Sequence, residues 1–199
     1  MRILIVGGTG TIGRAVVNEL LPRHEILIAS MTSADIQVDI SDSKSIEKMY
    51  KKVGTIDAVI STTGKVHFGA LQEMNEALYS IGLNNKLMGQ INLVSTGLQY
   101  INDGGSFTLT SGILNWDPIR LGSSAAMVNG AIDGFVKSAA IEMPKGVRIN
   151  AVSPGVVAES MDKYADFFRG FIPVPAAQVA QAFSKSVDGA QTGQVYSVV

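Results

Sequence analysis

Two hydrophobic rhythms alternate along the chain. The runs RILIVG (2–7), EILIAS (25–30), DAVIST (57–62), SFTLTS (106–111), VRINAVS (147–153) and GQVYSV (193–198) are short and nearly continuous in apolar residues. That pattern predicts strands buried on both faces, with ADIQVDI (34–40) a further short one. Between them the apolar residues recur at steps of three and four. TIGRAVVNELLP (11–22) puts Ile12, Val16, Val17, Leu20 and Leu21 on one side and stops at Pro22. SDSKSIEKMYKKV (41–53) predicts an amphipathic helix capped by Ser41 or Asp42. A long helical region is predicted from about Met74 to Ile101, ended by Asp103-Gly104-Gly105, with Leu83, Leu87, Ile91, Val94 and Leu98 in register. Further helices are predicted from about Ser123 to Met143 and over 178–187.

Strand–helix–strand units with continuous apolar strands imply a parallel sheet covered by helices on both faces. The expected fold is α/β: a Rossmann-type, doubly wound, three-layer αβα sandwich formed by 1–199 as a single domain. In such sheets ligands sit beyond the carboxyl ends of the strands, where the strand order reverses. The segments to watch are therefore 7–13, 30–33, 61–67, 111–117 and 153–160.

Composition narrows the partners. Of 199 residues, 46% are hydrophobic and 17% charged, enough apolar content to exclude disorder. The net charge of −1 and the lack of a basic block make nucleic acid and anionic membrane poor partners. No cysteine is present, which excludes disulfides, thiolate metal sites and a cysteine nucleophile and agrees with a cytoplasmic location. MRILIVGG reads as a strand and not as a signal peptide, and no apolar stretch reaches transmembrane length. No metal site is expected.

The first strand runs into GGTGTIG. Gly8, Gly10 and Gly13 spell G-x-G-x-x-G, and Gly7, Gly10 and Gly13 spell G-x-x-G-x-x-G. Between a strand and a helix this pattern provides a tight turn, close backbone approach to a pyrophosphate and helix-on-strand packing, with Thr11 and Ile12 at the helix start. A dinucleotide is the expected ligand. An NAD site usually carries Asp or Glu at the end of the second strand to hold the ribose hydroxyls. Here that strand ends Ser30-Met31-Thr32-Ser33, with no acid before Asp35. The hydroxyls of Ser30, Thr32 and Ser33 suit a 2′-phosphate and Arg14 follows the last glycine, so NADP(H) is favoured over NAD(H).

With these motifs in order, the chain resembles the short-chain dehydrogenase/reductase family over nearly its whole length. The resemblance is carried by GGTGTIG, VDISD (38–42), IDAVISTTG (56–64), GSFTLTSG (105–112), AIDGFVKSAAIEM (131–143), RINAVSPG (148–155) and TGQVYSV (192–198). It implies that Asp39, with Ile40 beside it, meets the adenine. It also implies that Ser61, Thr62 and Gly64 line the cofactor and that Pro154 and Gly155 pack near the nicotinamide. The family's Asn in the turn after the fourth strand is absent here, and Val6 replaces the Thr before the first glycine.

The family's chemistry uses Ser, Tyr and Lys, the Lys four residues after the Tyr, with an Asn from the preceding long helix. Matching the run AIDGFVKSAAIEM places the Tyr position at Ala125 and the Lys position at Asn129. A phenol titrates near ~10 and gives up its proton at neutral pH only with help from a nearby cation. Losing a positioned acid costs on the order of 10²–10⁴ in rate. Ser111 ends the fifth strand and is the surviving candidate for the Ser, although the alignment also points to Gly112. Asn129 retains the ability to hydrogen-bond the nicotinamide ribose. The helix Asn falls near Asn84, Asn85 or Lys86. Lys86 replacing the lost cation is one reading; a lysine beside an apolar stripe is more ordinarily solvated, and that is the expectation here. His67 is expected to be an exposed loop histidine, with proton supply as the alternative. Trp116 and Asp117 form a pocket wall or pack under a loop. Tyr164, Phe167, Phe168 and Phe171 form either a substrate lid or a packed core or interface patch.

Two functions fit. One is an NAD(P)(H)-dependent oxidoreductase acting on a small carbonyl or alcohol with atypical proton transfer. The other is a dinucleotide-binding pseudoenzyme acting as a sensor or interaction module. The small residues Gly130, Gly134, Ala139 and Ala140 suit close helix packing, and with the family resemblance they imply a homodimer or homotetramer.

Overall fold

In the computed structural model, which describes residues 1–32 and 34–199, seven strands form one parallel sheet in the order β3-β2-β1-β4-β5-β6-β7. They are β1 (Arg2–Val6), β2 (Glu25–Ser30), β3 (Ile36–Gln37), β4 (Ile56–Ser61), β5 (Ile101–Thr110), β6 (Arg148–Pro154) and β7 (Val195–Val198). The helices are α1 (Thr11–Leu20), α2 (Ser43–Val53), α3 (Glu76–Gly82), α4 (Met88–Gly97), α5 (Ser123–Glu142), α6 (Met161–Tyr164) and α7 (Ala176–Asp188). Ser33, one of the hydroxyls assigned to a 2′-phosphate, lies outside the described residues.

Alternation along β1 builds both layers. Leu4 and Val6 join the core under α2, α4 and α5 with Ile46, Leu93, Val128 and Ile132. Ile3 and Ile5 turn the other way, against Val16 and Leu20 of α1 and Val179 and Phe183 of α7. The expected three-layer αβα arrangement results. The strand order reverses between β1 and β4, where Val6 pairs with Ser61.

Three expectations need correction. The helix predicted over 74–101 is divided: α3 gives way to a π-turn at Leu83–Leu87, and α4 resumes at Met88 and ends at Gly97. Ile101, which fits the helical stripe, instead opens β5 by pairing with Ile56, and 102–105 form a bulge before Ser106 pairs with Ala58. Gly97, the last residue of α4, lies so close to Tyr50 and Phe107 that a Cβ would meet the Tyr50 hydroxyl at 2.6 Å. The third strand is two residues long: Asp39 accepts hydrogen bonds from the Ser41 amide (2.9 Å) and hydroxyl (2.6 Å), and the chain turns there into α2. The α2 cap is Asp42, which accepts from the Lys44 amide.

RINAVSPG is constrained by polar contacts inside the sheet. Asn150, fully buried in β6, donates to Ser186 Oγ (3.1 Å) and the Gln191 carbonyl (2.9 Å) and accepts from the Gln194 amide (3.0 Å). Ser186 Oγ is shared with Thr108 of β5 at 2.7 Å. Arg148 adds bonds to the Ser186 and Val187 carbonyls at the end of α7. One side chain thus ties β6 to α7 and to the start of β7. Asn150→Ala should cost about 2–4 kcal/mol, through lost hydrogen bonds and stranded buried partners. The check is a lower urea midpoint at unchanged m-value; an unchanged midpoint would contradict the assignment.

Candidate active site

The glycine loop sits where the strand order reverses. Gly7 has φ +88°, and a Cβ there would lie 3.0 Å from Thr62 of the neighbouring turn. Gly13 is more constrained: its Cβ would fall 2.1 Å from the Gly7 carbonyl oxygen and 2.7 Å from Gly8 Cα. Helix α1 therefore starts tight against the loop, with no side chain capping it at Gly10. The amides of Thr11, Ile12 and Gly13 meet no acceptor among the described residues. They form an anion-binding helix N-terminus of the kind that takes a pyrophosphate.

Two cavities flank this loop. One, of about 350 Å³, is lined by Gly7, Gly10, Ser30, Thr32, Ile40 and Gly64, among others. Ser30 and Thr32 thus line this cavity, while Arg14 is exposed on α1 and does not. Ile40 lines it and Asp39 does not, its carboxylate being engaged by Ser41. The second cavity, of about 290 Å³, is lined by Thr11, Ile12, Thr62, Gly155, Val156 and the aromatic segment. Gly155 is held there by its amide bond to the Val198 carbonyl (2.8 Å), just after buried Pro154. Ser61 lies beneath, fully buried, its carbonyl accepting from Thr110 Oγ1. A dinucleotide fits this arrangement: free amides at the helix start, glycines where any Cβ would intrude, and a cavity on each side.

Lys86 is half-buried, its ammonium held by protein oxygens and not free in solvent as expected. The π-turn widens the helix by one residue and swings this side chain inward, so its stem crosses Gly64, where a Cβ would lie 2.5 Å from Lys86 Cγ. Its ammonium donates to the Ser111 carbonyl (2.8 Å) and to Asn129 Oδ1 (2.6 Å). Asn129 is buried, and its amide nitrogen lies over Gly112, where a Cβ would meet it at 2.8 Å. An ammonium only donates, which fixes the orientation of the Asn129 amide. Burial pushes the Lys86 pKa down to about 8, against the opposing pull of the Asp133 carboxylate. Of the three candidates for the family's Asn position, Lys86 is thus the one bonded to Asn129, the residue that the sequence match sets against the family's Lys.

The neighbouring side chains hold this arrangement in place. Asn85 accepts from the Lys65 amide (2.7 Å), pinning the Gly64 turn, and Asn84 is exposed. Gln90 clamps the end of β5 through bonds to the Thr110 amide and carbonyl and also donates to the Lys86 carbonyl. Ser111 is buried, and its hydroxyl meets no partner among the described residues. Ala125 is buried within a third cluster that includes Ile113, Leu114, Val156 and Phe168. Phe68, Tyr164, Phe167 and Phe171 pack against that cluster. The aromatic segment is therefore a packed layer over the carboxyl edge of the sheet and also a cavity wall. His67 is half-buried and lines neither cavity. Trp116 is 54% exposed and forms neither the wall nor the packing offered for it, and Asp117 is exposed beside it. No group of three His, Cys, Asp or Glu residues converges for a metal among the described residues. No helix there is long and apolar enough to cross a membrane.

Sequence reasoning missed Gln90 and Phe68. Only the Asn84-Asn85-Lys86 triplet, polar residues interrupting an apolar stripe, hinted at the π-turn.

The geometry agrees with what the chain is similar to. The family model described as enoyl-(acyl carrier protein) reductase matches residues 13–195. Versicolorin reductase 1 of Dothistroma septosporum is 30% identical over 158 residues, 75% of this chain and 59% of that protein. Glucose and ribitol dehydrogenase homolog 2 of Arabidopsis thaliana is 24% identical over 132 residues, 64% of this chain and 44% of that one. The chain thus spans about half the length of these curated relatives. Among crystal structures, the protein lin1944 from Listeria innocua shares 53% identity at TM-score 0.99, with all of both chains covered. A small-chain dehydrogenase in complex with NADPH shares 26% identity at TM-score 0.87, over 100% of this chain and 96% of that one. The glycine loop, the sheet order and the match across residues 13–195 agree: this chain belongs to the short-chain dehydrogenase/reductase family.

Proposed function

We propose that the chain is an NADP(H)-preferring oxidoreductase that interconverts a small carbonyl and its alcohol, with Lys86 supplying the cation that Asn129 lacks. The observation that carries this reading is the 2.6 Å bond from Lys86 Nζ to Asn129 Oδ1. The bond brings a positive charge to the residue that the sequence match sets against the family's Lys, by way of a different helix. When bound, the nicotinamide supplies or accepts the hydride. The chain's own part is to hold the pyrophosphate on the amides of Thr11, Ile12 and Gly13 and to keep a charge under the ribose through Lys86 and Asn129. That charge acts through Asn129, whose fixed orientation holds the ribose and so positions the nicotinamide. The pseudoenzyme reading rests on Ala125 and Asn129, which stand where the family match calls for Tyr and Lys. Ser111, whose hydroxyl meets no partner among the described residues, remains a candidate contact for the substrate oxygen.

NADP(H) preference is supported by Ser30 and Thr32 at the adenosine cavity and by the lack of a carboxylate at the end of β2. Assembly as a homodimer or homotetramer is supported by Met88, Met127 and Ile141, exposed on α4 and α5, and by Gly134, whose Cβ would meet nothing within 4 Å.

Two measurements test the reading. In fluorescence titrations NADPH should bind at least about tenfold more tightly than NADH. Gly13→Val should abolish binding, because the valine would occupy the volume of the Gly7 carbonyl. Equal affinities would remove the NADP(H) preference, and binding by the variant would remove the loop assignment. For the cation, the wild-type rate of carbonyl reduction should fall as pH rises through about 8, where Lys86 loses its proton. Lys86→Met should lower kcat on the order of 10²-fold and show no such limb. A variant with the wild-type rate and pH profile would contradict the role of Lys86.

A further inference from the structure

Hydride delivered to a carbonyl carbon leaves an alkoxide, and the proton that quenches it must come from a group standing in the same cavity. Lys86 does not line the cavity beside Gly155; its ammonium points at a backbone carbonyl and at Asn129. Thr11, Thr62 and Ser160 line it, but as alcohols they are very weak acids, and Thr62 Oγ1 already donates to the Val6 carbonyl (3.2 Å). One phenol remains. Of the five tyrosines, Tyr50 donates to the Leu93 carbonyl in the core and Tyr100 stacks on it. Tyr79 bonds Ser123, and Tyr196 donates to Gln191 beside α7. Tyr164, at the end of α6, lines the cavity with Ile12, Gly155 and Val156.

Its surroundings hold it there. The Tyr164 ring lies 6.3 Å from Phe68 and 6.4 Å, edge-on, from Phe168, with the Lys163 ammonium 5.1 Å from its centre. Phe168 and Val156, which line this cavity with Tyr164, belong to the same packed cluster as Ala125, the helix position that lacks a donor. We propose that Tyr164, brought by the segment after Pro154-Gly155, is the catalytic proton donor to the substrate oxygen.

This inference rests on the oxidoreductase reading. In the reduction, hydride from the reduced nicotinamide forms the new C–H bond and the carbonyl π pair moves onto oxygen. The Tyr164 O–H bond breaks as the substrate O–H bond forms. The phenolate then recovers a proton from solvent, to which its neighbours Asp162 and Lys163 are exposed. The donor faces a cavity walled by Ile12, Val156, Phe68 and Phe168, so the fitting substrate is a compact apolar ketone or aldehyde.

The test is Tyr164→Phe, which keeps the ring and its aromatic contacts and removes only the hydroxyl. The variant should lose about 10²–10⁴ in kcat while the melting temperature, the NADPH affinity and the carbonyl KM stay within about threefold or unshifted. A second readout needs no turnover. Tetranitromethane should nitrate Tyr164, as mapped by peptide mass, and saturating NADPH should slow that modification at least about tenfold while leaving Tyr196 unaffected. A variant with wild-type kcat, or nitration indifferent to NADPH, overturns the role of Tyr164 and leaves the oxidoreductase reading standing. Protection by NADPH without turnover of any carbonyl by the wild type overturns both.

Discussion

The site is organised around one ammonium group held between two oxygens. Lys86 reaches the Ser111 carbonyl and Asn129 only because a π-turn displaces it from the outer face of the helix. Its stem needs the empty space above Gly64, and its partner needs the empty space above Gly112. Four segments of the sheet's carboxyl edge are therefore mutually constrained: the turns after β4 and β5, the π-turn and the middle of α5. An added Cβ at either glycine, or an ordinary α-helical turn at 83–87, would displace the ammonium.

That arrangement has an energetic consequence. Burial lowers the Lys86 pKa from 10.5 to about 8, so the folded state disfavours the charged form. Below about pH 8 the group is protonated in both folded and unfolded chains, and the full cost of desolvation is present. Between about 8 and 10.5 the unfolded chain holds a proton that the folded chain has released, and this group's contribution to stability rises with pH. A fold that carries an unfavourable charge at neutral pH, with no carboxylate bonded to it, is better explained by what the charge does than by what it stabilises.

Most of the frame was legible from the pattern of hydrophobic positions. Continuous apolar runs found six of the seven strands, ADIQVDI overran the two-residue third, and the β1–α1 glycines marked the cofactor loop, because these signals are local. The failures came where distant contacts decide. Ile101 fits a helical stripe as well as a strand start, and its pairing with Ile56 settles the matter. Lys86 beside an apolar stripe reads as a surface residue until its acceptors, from β5 and α5, are brought against it. The aromatic segment after Pro154-Gly155 was visible as a cluster, but its contact with Ala125 through Phe168 depends on the tertiary fold. Asn150 shows the converse: it was noticed as part of a motif, and the structure supplies the reason in its bonds to α7 and to the start of β7.

The direct test of the central claim is an NMR titration of the Lys86 side-chain Cε resonance, assigned by comparison with Lys86→Met. The account predicts a midpoint near 8, as for an ammonium buried against Asn129 and the Ser111 carbonyl. A midpoint in the ordinary lysine range near ~10.4 would place the amine in water and contradict it.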